Sequence, residues 1–350
     1  MPFKIIAVAA ATLGLVAGCQ TTAPDNVAKI KTELPSQSRF WAPPADTRVC
    51  NGYDAVSSFL VNTHIQGWMP GNPALSFMDS IGRYLAGAVS SKDFEKREFV
   101  AELVKAAEAD AYTVADFEGK GGPSPTFMQS LVLISISYAF SYIENENLWR
   151  GNERQTFIDW GNDIRSSTFQ IREYRTMDHV AADATASMVW GAATSQKDVF
   201  ADGFSDFHAV AGSMNSKGEI ESSPRDNNED IQFLILAAEA AMANGVDAYK
   251  FSYDGKTLHD AIKWHAENTL KIGRKSIYDA TAGSSSPYFR SEGHVAHIGW
   301  APIYLSRFPD GPASPILNKM LAKVDLFERG VGGRSMGGPT ECLWGWNRGT

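Results

Sequence analysis

The segment Thr126-Phe-Met-Gln-Ser-Leu-Val-Leu-Ile-Ser-Ile-Ser-Tyr-Ala-Phe-Ser-Tyr-Ile-Glu144 decides the fold class. Wound as a helix, it is apolar almost all round, through Phe127, Leu131, Val132, Leu133, Ile134, Ile136, Tyr138, Phe140 and Tyr142. A helix with one apolar stripe can lie on a surface, but one that is apolar on every side has to be covered on every side. Ser124-Pro125 supplies an N-cap with proline at the first helical position, where its missing N–H costs nothing. An inner layer is therefore expected, with other helices around it.

Those helices are legible on both sides. Apolar residues recur at spacings of three and four over 74–88, 92–116, 153–170, 179–194, 197–213, 228–245, 256–273 and 294–307. Gly121-Gly-Pro-Ser-Pro, Gly218, Ser223-Pro, Asn244-Gly and Ser284-Ser-Ser-Pro separate them. The pattern contains neither a hairpin series nor βαβ alternation. About ten or eleven helices with short connections imply an all-α fold. Inner helices backed by amphipathic outer ones suggest stacked helical hairpins curled into an incomplete (α/α) toroid; on pattern alone an irregular helical bundle is the alternative. The stretch Gly330-Val-Gly-Gly-Arg-Ser-Met-Gly-Gly338 does not lie between a strand and a helix, so it reads as a loop and not as a phosphate cradle.

The N-terminus carries a separate message. Lys4 precedes an apolar run from Ile5 to Gly18, then Cys19. The run is shorter than the roughly 20 residues a membrane-spanning helix needs, and one positive charge before it is the pattern of a secretory signal. Val16-Ala17-Gly18-Cys19 resembles the bacterial lipobox, which makes 1–18 a signal peptide and Cys19 the lipidated first residue. An ordinary signal peptide cut nearby is the alternative. Gln20, where an aspartate would indicate inner-membrane retention, favours the periplasmic side of the outer membrane. Residues 19–47, rich in Pro, Ser and Thr, read as a tether, and 48–350 as the folded domain. Cys50 and Cys342 then remain in an oxidising compartment, either as a disulfide or as two buried thiols. No Cys or His spacing suggests a metal site, and a net charge of −8 argues against general nucleic-acid binding.

From about residue 75 to 310 the chain resembles the alginate lyases of the periplasmic, all-helical polysaccharide lyase type. Four stretches carry the likeness: Arg83-Tyr-Leu-Ala-Gly with Phe94 to Tyr112; Met177-Asp-His-Val-Ala-Ala-Asp-Ala-Thr185; Lys197-Asp-Val-Phe with Asp206-Phe, Gly218 and Ala243-Asn-Gly; and Gly293-His to Trp300-Ala-Pro-Ile-Tyr304. The resemblance implies a monomeric toroid with a substrate cleft across the inner helix ends, and β-elimination on an anionic, uronic-acid polymer without metal or cofactor. The sugar carboxylate must be neutralised so that the C5 proton becomes acidic. A base takes that proton, and an acid protonates the departing glycosidic oxygen.

By this likeness His179 falls on the family histidine, a base or charge-stabilising donor; a hydrogen-bonded structural histidine is the other reading. Arg225 falls near the carboxylate-binding arginine, for which a guanidinium fork is suited. Asp178 stands where the family has asparagine, and Asp226 to Gln232 holds no tyrosine where the family acid is expected. Tyr174, Tyr253 or Tyr288 would then supply the acid, with Tyr288 and Arg290 on a loop before His294 as a cleft wall. Trp300 and Trp190 are sugar platforms or core residues. Lys271, Arg274 and Lys275 are a polyanion attractor or a solvated helix end. The departures leave two other functions open: a glycoside hydrolase using Asp178, Glu229 and Asp230 as acid and base, or a non-catalytic polysaccharide-binding envelope lipoprotein.

Overall fold

The structure is a computed structural model that describes residues 39–45, 50, 59, 61–66, 72–90, 96–116, 125–168, 176–221, 224–272, 298–323, 332–333 and 336–346. Among them are the helices α1 (Pro73–Ser90), α2 (Lys96–Glu108), α3 (Pro125–Asn145), α4 (Glu153–Thr168), α5 (Met177–Thr194) and α6 (Lys197–Gly212). They continue with α7 (Pro224–Ala243), α8 (Leu258–Ile272), α9 (Trp300–Arg307), α10 (Ser314–Lys323) and α11 (Thr340–Leu343). The only strands among the described residues are two-residue pairs, His64–Ile65 with Val114–Ala115 and Gly332–Gly333 with Gly338–Pro339. The fold is all-α, as the periodicity predicts.

The helices alternate between two layers. In α3 every residue from Pro125 to Ile143 is buried, and so is every residue from Ala181 to Thr194 in α5 and from Asn227 to Ala241 in α7. Length and hydropathy would let α3 span a membrane, but its burial inside the protein makes it a core helix. The partner of each hairpin is amphipathic: α2 buries Phe99, Val100, Leu103, Ala106 and Ala107 and leaves its charges outside. The inner helices run parallel. Ser130 near the start of α3 donates a hydrogen bond to Asp183 near the start of α5. Thr185 Oγ1 donates to the Phe233 carbonyl of α7 at 2.8 Å. Further along, Trp300 and Arg307 of α9 meet Asn228 and Glu239 of α7 in the same order. Helices α3, α5, α7 and α9 therefore begin at one end of the ring, so His179 and the start of α7 share that end.

The opposite end is closed by both termini of the domain. Asn145, last in α3, donates to the Trp41 carbonyl at 3.1 Å, and Asn244, just past α7, donates to the Arg39 carbonyl at 2.9 Å. Trp41 Nε1 donates to the Leu343 carbonyl at 2.8 Å, and Cys50 is bonded to Cys342 with their Cα atoms 4.7 Å apart. The short α11 touches both α1 and α9, the first and last inner helices, so it bridges the gap in the ring.

The glycine-rich tail fills this space because its glycines allow it. A Cβ on Gly338 would stand 2.7 Å from the Gly82 backbone, and one on Gly337 would stand 2.3 Å from the Tyr138 ring. Both have positive φ, which glycine adopts without strain.

Two expectations need correction here. The tether assigned to 19–47 ends earlier, because Phe40 and Trp41 are 2% and 4% exposed and pack edge-on against Tyr138. Helix α7 begins at Pro224, not at 228, so Asp226 and Asn227 belong to its first turn. The leader 1–18 and Cys19 lie outside the described residues.

Candidate active site

The start of α5 is the centre of the site. Thr176 is its N-cap in extended conformation, but its side chain makes no capping bond. The cap comes from elsewhere: the Met177 N–H donates to the carboxylate of Glu221, in the loop before α7. A negative group at a helix N-terminus is favoured by the exposed N–H donors and the dipole. One turn in, His179 is partly exposed and lies against Phe127 of α3, with ring centroids 4.8 Å apart. Phe127 meets Phe233 of α7 edge-on at 5.9 Å. Three inner helices thus fix the floor on which the imidazole rests.

Asparagines hold the neighbouring wall. Asn227 Oδ1 accepts from the Ile220 and Glu221 N–H groups at 2.8 and 3.3 Å, which ties the loop carrying Glu221 to α7. Its Nδ2 donates to Nδ1 of His265 on α8 at 3.0 Å. Burial pushes His265 down to about 4, so at neutral pH it is an uncharged acceptor for that bond. Asn228 Oδ1 accepts from Trp300 Nε1 at 3.0 Å. Neither asparagine stands out in the sequence as a site residue. The signal that could have found them is a run of short polar residues, Asp226-Asn-Asn-Glu-Asp230, inside a helix whose continuation is apolar.

Carboxyls crowd the same end. Asp178 is 5% exposed, Glu229 5% and Asp230 0%. Neither oxygen of Asp230 has a hydrogen-bond partner, and neither does Oδ1 of Asp178. Burial raises Asp230 most, and the charges of Glu221, Asp178, Glu229 and Asp226 raise it further, to about 9. Glu221 is raised by burial and by Asp226 and Asp178, with the Met177 N–H opposing. At neutral pH Asp230 is a protonated acid.

The sequence candidates divide accordingly. His179 and Asp178 come together with Glu229 and Asp230 at the starts of α5 and α7. Arg225 is on the first turn of α7, but its side chain is outside the described part of the structure. Tyr174, Tyr288, Arg290, His294, Arg274 and Lys275 lie outside the described residues. Tyr253 is committed elsewhere, since its hydroxyl is 2.5 Å from Nδ1 of His208 on the outer helix α6. Trp300 is not a sugar platform: it is 0% exposed, and its Nε1 is used on Asn228. Trp190 is likewise fully buried and donates to Asn162 at 2.9 Å. Both are core residues because a ring has to be exposed to stack on a sugar. Among the described residues no group of three His, Cys, Asp or Glu side chains could hold a metal ion.

An alginate lyase family model matches residues 106–275, a span that holds α3 to α8 with Phe127, Asp178, His179, Glu221, Asn227, Glu229, Asp230 and His265. The chain carries an alginate lyase domain. The matched domain supports a polysaccharide lyase enzyme. The fold agrees. A tyrosine-to-phenylalanine variant of alginate lyase A1-III complexed with a tetrasaccharide superposes with a TM-score of 0.63 at 16% identity, covering 91% of this chain and 94% of that one. Alginate lyase A1-III from Sphingomonas species A1 gives a TM-score of 0.61 at 15% identity over the same shares. A histidine-to-alanine variant of that enzyme, also with a tetrasaccharide, gives 0.62 at 16%. Among curated proteins no sequence match is found.

Proposed function

We propose that this lyase cleaves a uronic-acid polymer by β-elimination at the end of the ring where the inner helices begin. The observation that carries the proposal is the position of His179, which stands on the Phe127 floor at the start of α5, inside the matched domain. A partly exposed imidazole there can take a proton from C5 or donate to the sugar carboxylate. Arg225 is assigned the carboxylate, by bidentate geometry. The acid for the leaving oxygen is assigned to Tyr174 or Tyr288.

The test is absorbance near 235 nm on incubation with polymannuronate, polyguluronate and glucuronan. Elimination gives an unsaturated, absorbing product, which hydrolysis and binding do not. A signal that His179→Ala removes, with circular dichroism unchanged, supports the reading. Silence on every uronate polymer overturns it.

The buried carboxyls favour one other reading. Asp230 as a protonated acid with Asp178 as base would suit glycoside hydrolysis. That reading requires new reducing ends without absorbance at 235 nm.

We also propose that the chain is exported and anchored by lipid on Cys19 at the periplasmic face of the outer membrane, where it meets an anionic polysaccharide as a monomer. Support comes from the Lys4 to Cys19 pattern. Cys19→Ser should leave the protein exported but in the soluble periplasmic fraction, and retention with membranes would refute the anchor.

A further inference from the structure

The least explained side chain in the domain is Asp230. It is completely buried, and neither of its oxygens has a hydrogen-bond partner. Buried polar groups are almost always satisfied, because an unmade bond costs the full desolvation of the group. A buried, unpaired carboxylate would cost far more, so a group in this position gives up its charge by keeping a proton. Its surroundings act in the same direction. From α5 it is faced by Asp178, also buried with one unpartnered oxygen. From its own helix come Asp226 and Glu229, and from the preceding loop Glu221. On α8 the nearby titratable group is His265, held neutral against Asn227. Metal binding does not explain the cluster, since no three of these side chains converge on a point.

We propose that Asp230 is a positioning residue of the site: a carboxylic acid held neutral beneath the cleft floor, whose ionisation sets the alkaline limit for holding an anionic sugar at His179. This rests on the lyase reading above. An end of the ring so rich in carboxyls accepts a polyanion only if part of its charge is absent. Asp230 lies in the second turn of α7, where Asp178 of α5 acts on it across the helix boundary. As a neutral acid it leaves the uronate unopposed from below. Once ionised, it adds a negative charge that water does not screen, because the group has no exposed surface.

The sign of the stability effect is fixed by linkage. The folded Asp230 holds its proton up to about 9, against 3.8 for the unfolded group. Folding therefore takes up one proton anywhere between those values. Stability is fully present below the unfolded value and is lost as pH rises toward the folded one. The unfolding equilibrium constant should rise about tenfold per pH unit from this group alone.

The experiment has two arms, both on the mature protein as wild type and as Asp230→Asn, with Asp230→Ser if the amide is not accommodated. In the first, urea unfolding is followed between pH 5 and 8. The wild-type unfolding constant should climb with pH by about tenfold per unit more than that of the variant. Equal slopes would overturn the proposal, since Asp230 would then be ionised in the folded protein. In the second, KM for the polyuronate that gives the 235 nm signal is measured at pH 7 and pH 10. The wild-type KM should rise roughly tenfold more than the variant's, the scale of one added charge in a poorly screened site. A steep wild-type slope in the first arm with identical KM ratios in the second would overturn the link to the sugar. Failure of the lyase reading itself is separate: the wild type would then give no signal at any pH, while the unfolding arm still reads Asp230.

Discussion

The bond between Cys50 and Cys342 closes nearly the whole domain into one covalent loop, with 292 residues of sequence separation. Replacing both by alanine leaves the folded ring largely intact on structural grounds. Trp41 still bonds Leu343, Asn145 still bonds Trp41, Asn244 still bonds Arg39, and Trp344 Nε1 still reaches the Tyr138 hydroxyl at 3.0 Å. The cost therefore falls on the unfolded chain, which regains the freedom that the loop removed. The chain-entropy relation gives about 5.7 kcal/mol for a loop of this length as a ceiling, and native disulfides typically contribute about 2–4 kcal/mol because unfolded chains keep residual structure. We expect a loss of about 3 kcal/mol. The assay is urea unfolding by tryptophan fluorescence and far-UV circular dichroism, with oxidised wild type beside the Cys50→Ala, Cys342→Ala double variant. The clasp lies at the far end of the inner helices, and Phe127 to Asn145 spans roughly 27 Å of α3 at about 1.5 Å per residue. Turnover at 25 °C should therefore stay within about twofold of wild type. An unchanged unfolding free energy would refute the constraint argument. A large fall in turnover with intact dichroism would show that the two ends are coupled.

Three further outcomes follow from the packing. Trp300→Phe keeps a buried ring but leaves Asn228 Oδ1 without its indole donor, so it should destabilise by about 1–3 kcal/mol in chemical denaturation and leave KM unchanged; a rise in KM would restore Trp300 as a sugar contact. Arg307→Ala strips Glu239, 1% exposed and bonded at 2.7 Å, of its cation, and should cost about 3 kcal/mol in the same assay, because it leaves a buried acid with Tyr249 alone. Burial already raises Glu239 while Arg307 lowers it, so the loss should grow as pH rises through and above the carboxylate range, and a pH-independent loss would contradict this. Gly337→Ala places a methyl against the Tyr138 ring at a positive φ and should lower the melting temperature by several degrees, whereas an unchanged value would mean that the tail is not packed in the ring.

Hydrophobic period alone determined the fold class, because a helix as apolar as Thr126 to Glu144 has no stable place except an inner layer. It also determined most helix boundaries, which track Pro125, Asn244-Gly and the other breakers. The family likeness carried the position of His179. The start of α7 was misread because Pro224 can open a helix as readily as break one, and only packing against α5 and α8 decides between the two. The position inside the inner helix also decides the state of Asp230, since a carboxyl in a solvated loop keeps its charge while this one is buried and neutral. Phe40 and Trp41 were hidden for a related reason: a short apolar pair in a Pro-rich segment has no period, and its burial depends on the ends of α3 and α7 far along the chain. Trp300 had two possible roles in the sequence, and the presence of Asn228 at its indole N–H settled which. Composition and spacing fix which residues want to leave water. Which polar groups must go with them, and what charge they then keep, is decided by the tertiary structure, because that depends on neighbours brought together across the ring.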